Sequence, residues 1–112
     1  MATLTDLTFL QSFTGGNKEK IVKYINLFLQ ACPEQLTKMK ERLAERDYSG
    51  LRAAAHTLKP QVIYMGMKNA EELVKKIENM AGEERDVDQL PTLLNEFDQM
   101  CGSAMEELKQ AI

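Results

Sequence analysis

The sequence predicts an all-α protein, an antiparallel up-down-up-down four-helix bundle with a short N-terminal helix. Three observations predict it. Apolar residues recur at three- and four-residue steps through four long segments. No stretch shows sustained period-2 alternation, an Asn-Gly or Asp-Gly hairpin, or a cluster of β-branched residues. The connections between the long segments are short, which makes successive helices run antiparallel.

The first segment, Asp6 to Phe13, carries Leu7, Phe9, Leu10 and Phe13 and stops at Gly15-Gly16. Asn17 can cap the next, whose stripe runs Ile21, Ile25, Phe28, Leu29, Cys32, Leu36, Met39, Leu43. Pro33 lies inside that helix and removes one backbone donor, so a kink is expected there. Asp47-Tyr48-Ser49-Gly50 supplies turn and cap chemistry before a third helix from about Leu51 to Met65. Asn69-x-x-Glu72 reads as a capping box opening a fourth helix that buries Leu73, Ile77 and Met80. After Gly82 and the charged turn Glu83 to Asp86, Asp88 can cap a last helix with Pro91 in its first turn. Its stripe is Leu90, Leu94, Phe97, Cys101, Ala104, Leu108.

The chain has 112 residues, the size of one domain, and residues 1–112 are expected to form one. Apolar residues make up 44% and charged residues 28%, which fits an ordered helical protein rather than a disordered or fibrous one. The formal charge of −3, with no run of Lys or Arg, argues against nucleic acid and anionic membrane as partners. The most apolar stretch, Tyr24 to Cys32, is interrupted by Asn26 and Gln30 and falls far short of the ~20 residues that span a bilayer. The N-terminus has Asp6 and no basic leader, so a cytoplasmic location is expected, and the Met1 start and short ends favour a free-standing protein. Cys32 and Cys101 lack CxxC spacing and read as reduced core thiols, and the seven methionines read as flexible core filler.

Only one histidine is present, His56. At about 100° per residue, Leu51, Ala54, Leu58, Val62 and Met65 share the buried direction, and His56 lies roughly opposite. Arg52, Ala53, Lys59, Pro60, Ile63 and Met67 fall on the outward face beside it. Such a mixture of cations, small residues and apolar side chains suits docking of a partner that brings an anionic group.

His56-Thr-Leu-Lys59, with Gly66 ten residues after the histidine, resembles the HxLKG...G pattern of histidine-containing phosphotransfer (HPt) domains. The resemblance extends from Asp6-Leu-Thr-Phe-Leu10 and Gly15-Gly16-Asn17, through Phe28-Leu29, Pro33 and Leu36, to Ala55-His56 and Ala70-x-x-Leu73. Pro60 departs from it, standing where the family has glycine; it cannot donate to the His56 carbonyl and alters local geometry.

The resemblance implies a phosphocarrier of a two-component phosphorelay, not an enzyme and without autokinase activity. His56 accepts a phosphoryl group from a receiver-domain aspartate through Nε2 and passes it to another. Lys59 supplies charge stabilisation and Arg52 weaker assistance. Ala53, Pro60, Ile63 and Met67 form the apolar partner contact, and Gly66 is structural near the site. Expected partners are receiver domains of response regulators and of a hybrid sensor kinase, met by a monomer. The chain binds no cofactor or metal, and the Mg²⁺ belongs to the receiver. A rival reading, a degenerate HPt-like helical adaptor binding a protein without phosphotransfer, is opposed by the presence of both His56 and Lys59. A di-iron bundle is opposed by the lone histidine, since such sites use paired Glu-x-x-His motifs.

Overall fold

The computed structural model describes residues 4–111. Five α-helices are found there: α1 (Thr8–Thr14), α2 (Lys18–Ala44), α3 (Tyr48–Tyr64), α4 (Lys68–Glu83) and α5 (Leu90–Ala111). A 3₁₀ turn, Val87–Gln89, leads directly into α5, and the described residues contain no strand. Helix α2 packs on α3 and α5, α4 packs on the same two helices, and α1 lies against α2. The 27 residues of α2 at about 1.5 Å each account for the 41 Å long axis of the molecule.

Local chemistry explains most of the boundaries. Gly15 ends α1 in the left-handed region at φ 65°, and the Asn17 carboxamide then accepts from the Lys20 amide at 3.1 Å to start α2. Helix α2 runs unbroken through Pro33, with its apolar stripe in register on both sides. The Asp47 carboxylate caps α3 by accepting from the Gly50 amide at 2.9 Å, so the helix begins at Tyr48, ahead of the expected Leu51. The expected Asn69 capping box does not form: α4 starts at Lys68 with Met67 in the cap position, placing Asn69 inside the first turn.

The core is the meeting of these stripes. All six α5 residues expected inside are buried, as are Ile25, Phe28, Cys32, Leu36 and Met39 of α2. On α4 the buried edge is Val74, Ile77 and Met80, while Leu73 is only partly covered. Met39, Met65, Met67 and Met80 are buried, so methionine does serve as core filler. Cys32 and Cys101 are fully buried and unbridged; the Cys32 thiol beside it and burial push the Cys101 thiol far up. The N-terminal strap is tied to α5, where Glu107 accepts from the Leu4 and Thr5 amides, each at 3.0 Å, and from the Thr5 hydroxyl at 2.6 Å.

Two expectations about the end of α3 need correction. Met67 does not lie on the outward face: it is 2% exposed. Helix α3 ends at Tyr64 and the chain reverses at Gly66 (φ 64°), so the 100° periodicity does not reach residue 67. Gly66 itself is structural but not near His56, because ten residues of helix and turn set it roughly 15 Å away. A Cβ there would run into the Asp6 carbonyl, where the Asp6 amide donates to the Met65 carbonyl at 3.0 Å, so glycine is required by both conformation and space.

Candidate functional site

The site is built where the middle of α3 crosses the second half of α4. Its α3 side is alanine-rich, with Ala54 and Ala55 buried and Ala53 exposed. On a helix the residues three and four positions away flank a side chain. For His56 these are Arg52, Ala53, Lys59 and Pro60, of which the two compact ones leave the imidazole open. The His56 side chain is 68% exposed.

Its ring is nonetheless fixed. The Glu78 carboxylate of α4 takes His56 Nδ1 at 2.9 Å through Oε1, and accepts from Lys59 Nζ at 2.9 Å through Oε2. Among the described residues Glu78 is the one buried charged residue, with its side chain 11% exposed. Burial pushes its carboxyl up, but hydrogen bonds from Lys59 and His56 outweigh that and hold it below the usual carboxylate range. An ionised carboxylate can only accept. The proton of the neutral ring therefore sits on Nδ1, and the Nε2 lone pair is left free on the outward side.

Arg52, one turn before His56, is exposed and makes no ion pair among the described residues. Its chain lies across Gly82 of α4, with Cδ and Nε 3.0 and 3.1 Å from where a Cβ would stand. Together with Ser49, Ala53, Thr57 and Glu78 it lines a shallow depression beside the imidazole. Ala53 and Pro60 are exposed as expected, Ile63 is half-buried, and Met67 is removed from the surface. Among the described residues no cluster of three or more His, Cys, Asp or Glu side chains could hold a metal ion, and no helix is long and apolar enough to cross a membrane.

Sequence reasoning missed two features. Glu78 follows Val74 by four and precedes Ala81 by three, so a carboxylate on the apolar edge of α4 was the signal that could have found it. The second is aromatic. Only Leu10 of α1 is buried, while Phe9 and Phe13 are 48% and 58% exposed. Both rings stack with Tyr64 of α3, at 6.0 and 6.1 Å, and Tyr24 of α2 closes the cluster edge-on.

The sequence model of the Hpt domain family matches residues 23–111. No curated protein sequence matches the chain. Among solved structures the chain is similar to the histidine-containing phosphotransfer protein B (HptB) from Pseudomonas aeruginosa PAO1. The TM-score is 0.88 at 21% identity, covering 99% of this chain and 96% of that one, which shows a common fold.

Proposed function

This chain belongs to the Hpt domain family, with a histidine phosphotransfer role in phosphorelays, and on that footing we propose that His56 is its phosphoryl acceptor. The observation that carries the assignment is the 2.9 Å contact from His56 Nδ1 to a buried, ionised Glu78 on a ring that is otherwise 68% exposed. That contact leaves Nε2 as the nucleophile and aims it outward.

The reaction follows from the geometry. The Nε2 lone pair attacks phosphorus of a receiver's aspartyl phosphate; the Nε2–P bond forms as the P–O bond to the aspartate breaks, and the aspartate leaves as its carboxylate. No proton has to move. The ring goes from neutral to cationic with its proton still on Nδ1, and the Glu78 carboxylate stabilises the charge as it develops. In the reverse direction the same cationic ring is a good leaving group, so one arrangement serves both transfers. Lys59 keeps Glu78 ionised and holds its carboxylate in register, adding positive charge one helical turn from the phosphoryl group. The Mg²⁺ that neutralises the phosphoryl oxygens is supplied by the receiver.

The apolar part of the docking surface is Ala53, Pro60 and the exposed edge of Ile63, without Met67. The partners are receiver domains of response regulators and of a hybrid sensor kinase, meeting a monomer in the cytoplasm. The chain forms one domain and acts as a phosphocarrier without autokinase activity. Its four long helices run up-down-up-down, a reading supported by short connections and by the closed ring of contacts α2, α3, α4, α5.

Incubating the protein with a ³²P-labelled receiver tests the assignment. Wild type acquires acid-labile label and His56→Gln acquires none while keeping its helical circular dichroism. Acid-labile label retained by that variant refutes it.

A further inference from the structure

We propose that Arg52, seated on Gly82, is the side chain that contacts the phosphoryl group on His56, and that the bare backbone at Gly82 sets where its guanidinium lies. The proposal rests on His56 being the acceptor. Lys59 is the cation the sequence puts forward for this task, yet its ammonium is committed to Glu78 Oε2 at 2.9 Å, on the Nδ1 side of the ring. A phosphoryl group on Nε2 projects away from that ion pair. The open depression beside the ring is lined by Arg52 with Ser49, Ala53, Thr57 and Glu78. Arg52 is the one cation lining it, and no carboxylate among the described residues pairs with it.

Gly82 explains how a long, exposed side chain is kept in place. The Arg52 stem crosses α4 so closely that a Cβ at residue 82 would stand 3.0 Å from Cδ, 3.1 Å from Nε and 3.7 Å from Cζ. A glycine inside the last turn of a helix weakens that helix, and here it makes the floor on which the guanidinium rests. The planar fork of donors then meets two phosphoryl oxygens at once, a geometry an ammonium cannot reproduce.

The test uses the full chain charged with phosphoramidate, which loses ammonia as its P–N bond breaks and the His56 N–P bond forms. The phosphohistidine is then titrated by ³¹P NMR. A guanidinium on the phosphoryl oxygens favours the dianion, so Arg52→Ala raises the phosphoryl pKa and slows uptake from a phosphorylated receiver roughly tenfold. Arg52→Lys recovers only part of both. Gly82→Leu, which fills the seat with a better helix former, reproduces the Arg52→Ala titration without loss of thermal stability. It adds nothing when combined with Arg52→Ala. If Arg52→Ala leaves titration and rate unchanged while label stays on His56, this proposal falls and the acceptor assignment stands. If the wild-type label is not on His56, both fall.

Discussion

Replacing Glu78 by Gln keeps the shape of the site and removes its charge. In wild type the carboxylate faces a ring that becomes cationic during transfer, with Nδ1 and Oε1 2.9 Å apart. Opposite charges about 4 Å apart attract by roughly 4 kcal/mol at an effective dielectric of ~20. Solvent over the 68% exposed ring screens more than half of this, leaving about 1–2 kcal/mol of transition-state stabilisation and hence roughly a tenfold rate effect. The fold is less affected: a glutamine can still accept from Nδ1–H, and the lost Lys59 bond costs about 1 kcal/mol, or a fall in Tm of roughly 5 °C. Rapid-quench transfer from a ³²P-labelled receiver reads the rate, and ¹⁵N NMR of the imidazole reads which nitrogen carries the proton. A Glu78→Gln protein that keeps its proton on Nδ1 and transfers at the wild-type rate would refute the argument that the charge of the carboxylate assists the transfer.

Further outcomes follow from the rest of the molecule. Gly66→Ala forces a side chain into the left-handed region and onto the Asp6 carbonyl, so it lowers stability by about 2 kcal/mol in urea unfolding and leaves His56 labelling of the folded fraction intact. Cys32 and Cys101, buried with the Cys101 thiol pushed up, resist alkylation by iodoacetamide in the native protein and react once it is unfolded; rapid native labelling would contradict their placement. The Glu107 carboxyl is held below its ordinary range by the Thr5 hydroxyl and the Leu4 amide. A depressed carboxyl stabilises the fold fully above the ordinary glutamate range and loses that contribution as pH falls through its folded pKa. Wild type is thus more stable than Glu107→Gln near pH 7, and the difference in Tm narrows as pH falls below the ordinary glutamate range; a constant difference would mean that the strap does not depend on this charge.

Periodicity made the long helices legible because each buries one face against several partners. Leu90 through Leu108 on α5 were readable residue by residue for that reason, and on α2 so were Ile25, Phe28, Cys32, Leu36 and Met39, while Ile21, Leu29 and Leu43 are only partly buried. It failed where the chain leaves the helix: Met67 falls on the His56 face only if α3 continues past Gly66. It failed on α1 too, because a seven-residue helix has one inward position, Leu10, and its other apolar residues gather outside around Tyr64. The proposed acceptor, whose ring is exposed, was legible as a lone histidine beside a lysine. Its orienting partner was not, since Glu78 lies 22 residues away on another helix and meets His56 only once α3 and α4 pack.

The central claim is that Glu78 holds the proton on Nδ1 so that Nε2 of His56 carries the phosphoryl group. Heteronuclear ³¹P and ¹⁵N NMR of the ¹⁵N-histidine-labelled protein, charged by a phosphorylated receiver, reads the bonded nitrogen directly. Phosphorus bonded to Nε2, with the remaining proton on Nδ1, is the predicted result; phosphorus on Nδ1, or on any residue other than His56, would contradict it.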